Sequence, residues 1–194
     1  MSAADNLKSW DRSQPGAAGR AEQVEEMIRV DHAGEYGAVR IYEGQLAVFR
    51  HLPGKQKIAA EIEAMARDEE DHLARFNGIV NERQVRPTAL TPFWHAAGFA
   101  LGAATALMGE KAAMACTAAI EEVIDEHYRA QVRKLDEMQA EPELRATIEK
   151  FREEEVAHKD HALAAGAAEA PGYGLLSGAI KTACRLAIRV AEKV

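Results

Sequence analysis

The chain has 194 residues, 47% of them hydrophobic and 28% charged, enough for one well-buried domain. Its net charge of −7 argues against nucleic acid as the main partner, because phosphate binding needs a basic footprint; metal cations or a neutral ligand fit better. Cys116 and Cys184 lie far apart and form no CxxC pair, so neither a disulfide framework nor a zinc knuckle is indicated, and a reducing compartment is expected.

Residues 1–20, "MSAADNLKSWDRSQPGAAGR", lack the apolar stretch of a secretory signal and read as a flexible lead-in. From 21 to 194 the chain reads as a single domain that is nearly all helix, since Ala, Glu, Leu, Arg and Met abound and only six prolines occur. A first helix is predicted over 21–51, with Ile28, Val39, Tyr42, Leu46 and Phe49 at helical spacing; Pro53 and Gly54 stop it. A second, over 55–83, carries Ile58, Ile62, Met65, Leu73, Phe76 and Val80 on one side and completes a hairpin. The connection 84–109 contains "PFWHAAGFALGAATALMG" and has no acid or base between Arg86 and Glu110. A membrane span needs roughly 20 apolar residues, but Ala, Gly and Thr outnumber Leu and Ile here, so a buried or membrane-surface segment is expected instead. A second hairpin follows over 110–165, turning at "AEPEL", and a loop with "PGYG" leads to a last helix over 175–193. The predicted fold is all-α: a ferritin-like four-helix bundle with a long apolar crossover and an extra amphipathic C-terminal helix.

The stretch "FREEEVAHKDHAL" crowds acids and histidines beside Phe151, Val156 and Leu163. Within it, Glu155 and His158 form Glu-x-x-His, whose members share a helix face because three residues turn by about 300°. "RDEEDHLARF" holds the same unit as Glu69 and His72, 86 residues earlier. The same offset maps Glu35 onto Glu121, Tyr42 onto Tyr128, Ile62 onto Ile148 and Ile58 onto Leu144, which indicates two copies of one hairpin and selects Glu121 over Glu122. Glu35 and Glu69 lie almost equidistant from the first turn and come level in an antiparallel pair; Glu121 and Glu155 are less even, which predicts a longer or tilted second turn. All four glutamates fall on the apolar stripes of their helices. Buried carboxylates without counter-charge are costly, and two divalent ions would balance four of them. Glutamate and histidine without thiolate suit iron or manganese better than structural zinc or magnesium.

The motifs "IRVDHAGEYGAVRIYEGQLAV", "DEEDHLARFN", "PFWHAAGFALGAATALMGEKAAMACTAAIEEVIDEHY" and "FREEEVAHKDHAL" resemble the demethoxyubiquinone hydroxylases of ubiquinone biosynthesis from about Glu22 onward. The family's metal ligands match Glu35, Glu69, His72, Glu121, Glu155 and His158, the six that the repeat selects. The resemblance implies a monooxygenase with two iron ions (Fe2+/Fe3+) that uses O₂ to hydroxylate the ring of a polyprenylated methoxy-benzoquinol, with Glu69 and Glu155 bridging and Glu35 and Glu121 terminal. It also implies other ubiquinone-biosynthesis proteins as partners. The alternative is an iron oxidase or peroxidase of the ferritin or rubrerythrin kind with the same ligands, although the CxxC module of a rubrerythrin is missing from the sequence.

Tyr42 and Tyr128 lie two turns from Glu35 and Glu121 and are candidates to approach the metal pair or the quinone. His127 points off the ligand face, with a substrate-side role as its alternative to a structural one. Asp31 and Asp125 are expected to orient ligand histidines. The last helix carries Lys181, Arg185, Arg189 and Lys193 at four-residue spacing, a basic stripe suited to anionic lipid. Together with Phe93, Trp94, Phe99, Leu101 and Leu107 in the uncharged segment, this stripe predicts a peripheral, monotopic protein on the cytoplasmic face of the cell membrane, with substrate entering from lipid.

Overall fold

The computed structural model describes residues 17–193; the lead-in expected over 1–20 lies outside them up to residue 16. The described residues form α1 (Ala17–Phe49), α2 (Gln56–Arg83), α3 (Thr91–Leu107), α4 (Glu110–Met138), α5 (Pro142–Ala164) and α6 (Tyr173–Ala191), with a 3-10 turn at Ala167–Glu169. No strand occurs among them, and the all-α bundle is as expected. Helix α1 already begins at Ala17, inside the span read as flexible.

Two antiparallel hairpins, α1–α2 and α4–α5, face each other. The turn of the second is shorter than the first, so of the longer or tilted turn that the spacing suggested, the longer one does not form. Helix α4 runs on to Met138 and reverses through Gln139 and Glu141, both left-handed with φ of 51° and 54°. The Ala140 N–H bonds Leu135 O and the Gln139 N–H bonds Asp136 O, a Schellman arrangement that turns the chain in few residues. Arg145 then reaches back to Asp136 at 2.7 Å, and Arg83 of α2 binds Glu141 at 2.7 Å, tying the hairpins together.

Two apolar clusters fill the bundle ends. One gathers Tyr42, Leu46, Phe49, Ile58, Ile62 and Met65 with Met114. The other gathers Ile28, Phe76, Val80, Tyr128, Leu135, Ile148 and Phe151. The predicted stripes of α1 and α2 supply Tyr42, Leu46, Phe49, Ile58, Ile62 and Met65 to the first and Ile28, Phe76 and Val80 to the second, while Leu73 is half-buried and belongs to neither. The polar layer between them is held in place by hydrophobic burial on either side.

The uncharged crossover is itself a helix, and no described helix is long and apolar enough to cross a membrane. Helix α3 runs parallel to α1 and touches its backbone. A Cβ on Gly102 would fall 2.8 Å from the Ile41 carbonyl carbon, one on Gly44 would fall 2.8 Å from the Ala103 nitrogen, and one on Gly98 would fall 3.0 Å from Gly37 O. Glycine at 98 and 102 therefore lets the axes approach as small-residue pairs do elsewhere. Helix α6 packs on α4 and reaches α1 through Ala191 beside Val30 and Ala33.

Candidate metal centre

Glu35 and Tyr42 come from α1, Glu69 and His72 from α2, Glu121 and Tyr128 from α4, and Glu155 and His158 from α5. The structure brings all six proposed ligands to one layer. Glu35, Glu69, His72 and Glu155 form one group and Glu69, Glu121, Glu155 and His158 another, with ligand atoms within 4.8 Å of each other in each. Glu69 and Glu155 belong to both groups, whereas Glu35 and Glu121 each belong to one. His72 Nδ1 lies 3.1 Å from Glu155 Oε1 and 3.5 Å from Glu35 Oε2. His158 Nδ1 lies 3.2 Å from Glu69 Oε1 and 3.4 Å from Glu155 Oε2.

The donor set fits two dications. Both oxygens of Glu69, one oxygen each of Glu35, Glu121 and Glu155, and His158 Nδ1 are buried without a hydrogen bond, an arrangement that normally costs stability. Burial pushes Glu69, Glu121 and Glu155 up from the usual carboxylate range, helped by their mutual repulsion. Burial opposes charge on the histidines too, but the hydrogen bond to Glu155 and the Glu35 carboxylate at 3.5 Å outweigh it and lift His72 to about 11. The Glu155 and Glu69 carboxylates, 3.4 and 3.2 Å from Nδ1, likewise lift His158 to about 12. Two dications between these groups would replace such protons and neutralise four carboxylates.

The tyrosines cross between hairpins. Tyr42 donates to Glu121 at 2.9 Å, and Tyr128 donates to Glu35. Burial and the surrounding carboxylates hold both phenols well above their usual range, so they remain donors that fix the two unshared glutamates.

Asp31 and Asp125 do not orient the ligand histidines. Asp31 faces α4, where it bonds His127 and Gln131, and Asp125 is taken by Arg129 and Arg152. Glu154 serves His72 Nε2 at 2.9 Å and Asp68 serves His158 Nε2 at 3.1 Å. Each carboxylate holds the histidine of the opposite hairpin, leaving Nδ1 turned inward. Asp68 and Glu154 obey the same 86-residue offset, a signal in the sequence that the reading of ligands alone passed over. His72 also stacks on Phe151, ring centroids 3.9 Å apart.

An apolar cavity of about 200 Å³ lies between α1, α3, α4 and α6. Trp94 and Leu101 of α3, Ile124 of α4 and Ile180 and Ile188 of α6 form its walls, and Asp31, Glu35, His127 and Tyr128 supply its polar groups. Of the six ligands, only Glu35 reaches it, so the centre meets the cavity at one edge. The remaining access residues divide. Phe93, Phe99 and Leu107 are exposed on the outer face of α3 (58%, 37% and 75%), while Trp94 and Leu101 turn inward. Lys181 binds Glu122 at 2.7 Å and Arg185 binds Glu126 at 2.9 Å, so half of the basic stripe pairs with α4; Arg189 and Lys193 are exposed.

Residues 22–191 match the family described as Ubiquinone biosynthesis protein COQ7. The chain is 50% identical over 191 residues to the 3-demethoxyubiquinol 3-hydroxylase of Rhodospirillum rubrum, covering 98% of this chain and 88% of that protein. It is 48% identical over 173 residues to the NADPH-dependent 3-demethoxyubiquinone 3-hydroxylase, mitochondrial, of Homo sapiens, covering 88% and 78%. Against the 5-demethoxyubiquinone hydroxylase, mitochondrial, of Saccharomyces cerevisiae the identity is 40% over 193 residues, covering 90% and 80%.

Proposed function

The chain belongs to the Ubiquinone biosynthesis protein COQ7 family, and from that premise we propose that it is a monooxygenase that hydroxylates the ring of a polyprenylated methoxy-benzoquinol with O₂. The observation that carries this reading is the apolar cavity ending at Glu35, which puts a greasy ring at the edge of a metal-binding cluster. A ferritin-like iron oxidase would take a small hydrated cation as substrate, and such a cation gains nothing from apolar walls.

The two groups of ligands would hold two iron ions, with Glu69 and Glu155 common to both groups and Glu35 and Glu121 each in one. When bound, the iron pair supplies the electrons and Lewis acidity for oxygen activation. The chain supplies the rest. Tyr42 and Tyr128 hold the unshared carboxylates, Glu154 and Asp68 hold the imidazoles, and the cavity walls exclude water from the ring.

The substrate partitions into lipid; the outer face of α3 offers Phe93, Phe99 and Leu107, and α6 exposes Leu175 and Leu186, 83% and 60% exposed. We assign this face to the cytoplasmic surface of the cell membrane, with the ring entering between α3 and α6. Other ubiquinone-biosynthesis proteins are expected to pass substrate or product there. The test is a single turnover of a short-tailed methoxy-benzoquinol under ¹⁸O₂ by the protein loaded with Fe(II), which supplies the two electrons that monooxygenation consumes. Labelled hydroxyquinol supports the reading, whereas oxidation of Fe(II) with no label in the ring would favour the iron oxidase.

A further inference from the structure

The two sides of the ligand layer differ in what they offer a hydrated cation. Toward α3 and α6 the layer ends in the cavity, where Glu35 is the only ligand and most of the wall is aliphatic. Toward α2 and α5, Asp68 and Glu154 touch water and a ligand at once. Their side chains are 58% and 38% exposed, and each accepts from the Nε2–H of a ligand histidine, Asp68 from His158 at 3.1 Å and Glu154 from His72 at 2.9 Å. At the other edge of the His158 ring, Nδ1 faces Glu69 at 3.2 Å. That nitrogen and both Glu69 oxygens are buried without a hydrogen bond, so unpartnered donor atoms lie one imidazole away from a carboxylate in solvent.

A cleft of about 230 Å³ opens between α2 and α5 on this side, lined by Asp71 and Arg75 of α2 and by Thr147, Lys150 and Phe151 of α5. The Phe151 ring stacks on His72 and Lys150 lies 3.3 Å from Glu154, which puts the cleft beside the Glu154–His72 pair. Farther along, His161 of α5 meets Glu61 of α2 at 3.6 Å. The seam between α2 and α5 is thus polar along its length. A dication gives up its water only where charged oxygens replace it, and aliphatic walls replace none. Carboxylates at a water boundary also raise the local concentration of cations.

We propose that metal ions enter the centre along the seam between α2 and α5, passing from Asp68 and Glu154 to the ligands beneath, on the side opposite the cavity. The inference rests on the six ligands holding metal. Ion and ring then use separate entrances. The centre can be filled while the cavity is occupied, and the aliphatic wall never has to admit a charge. Asp68 and Glu154 act twice, as holders of the two imidazoles and as the last solvent-exposed carboxylates before them.

The test is uptake of Co(II) alone by the metal-free full chain, followed by the absorption of the coordinated ion, with release followed separately by a chelator chase. Asp68→Asn combined with Glu154→Gln keeps an oxygen acceptor for each Nε2–H but removes both charges, and should slow uptake by about tenfold or more at low salt. If these carboxylates only held the imidazoles, release would quicken and uptake would stay the same. Asp71 and Arg75 are exposed in the cleft and belong to neither ligand group. Asp71→Asn should slow uptake and Arg75→Gln should speed it, each by about three- to fivefold at low salt, with the rates converging as salt screens the charge. Filling the cavity with Ile124→Trp should leave uptake unchanged. Wild-type uptake by the double variant, absence of the ordering between Asp71→Asn and Arg75→Gln, or slowing by Ile124→Trp overturns the route while leaving the centre in place. A wild-type chain that takes up no Co(II) overturns the metal centre itself and the route with it.

Discussion

His72 and His158 each offer Nδ1 inward while Nε2 rests on a carboxylate of the opposite hairpin, so at the scale of single residues each imidazole is held at both ends. Their pKa values of about 11 and 12 lie above the usual 6.5. The ion pairs they make therefore stabilise the metal-free fold fully below pH 6.5 and are lost only as pH rises through about 11 to 12. A metal ion needs the deprotonated ring. Loading at neutral pH should accordingly release the proton of each histidine and grow tighter as pH rises. Calorimetry in two buffers of different ionisation enthalpy reads this directly; loading with no net proton release would contradict the assignment of these rings as ligands. The outer carboxylates give a second prediction. Removing one as Glu154→Ala or Asp68→Ala should weaken metal binding by about 10–100-fold. Glu122→Gln, which alters only the surface pair with Lys181, should leave it unchanged, in contrast to Glu121→Gln.

Helix α3 lies against α1 because glycines remove the side chains that would hold them apart, so the element scale is governed by backbone contact. Gly102→Ala should cost about 1–3 kcal/mol by overpacking and lower Tm by about 2–4 °C for each kcal/mol in a chain of this size. Gly178→Ala of α6, where an added Cβ meets nothing within 4 Å, should not; equal Tm values for the two variants would show that the contact is slack. The ligand layer was legible in the sequence because an integer offset repeats whole turns of two hairpins, and the same offset contained Asp68 and Glu154. The packing of α3 was not legible. Its composition identified an apolar segment, but a helix rich in Ala and Gly has no strong stripe to name its partner. The cavity was equally hidden, since its wall is shared by four helices and no single periodicity describes it. Asp31 and Asp125 misled because spacing along one helix says which residues share a face, not which arginine or histidine a neighbouring helix presents.

Across the whole molecule the two faces of the centre differ. The α2–α5 side presents Asp68 and Glu154, whose side chains are 58% and 38% exposed, to water, while the α1–α4 side is roofed by α3 and α6 over the apolar cavity. A lipid-borne substrate approaching the second side meets the uncharged surface of α3 first. Each large apolar side chain transferred from water into lipid contributes on the order of 1–3 kcal/mol, whereas a basic residue near an anionic surface adds about 1 kcal/mol and loses it in salt. With Lys181 and Arg185 already bound to Glu126 and Glu122 of α4 in the order Arg185–Glu126 and Lys181–Glu122, the apolar residues should dominate attachment and salt should matter little. Phe93→Asp combined with Leu107→Asp is therefore expected to weaken binding to anionic liposomes far more than Arg189→Glu combined with Lys193→Glu. The first pair should also abolish turnover of a long-tailed quinol while sparing iron content and turnover of a short-tailed one, because neither residue belongs to the centre or the cavity wall. Liposome binding that survives the aspartates, or turnover that falls equally for both quinols, would mean that the outer face of α3 meets something other than lipid.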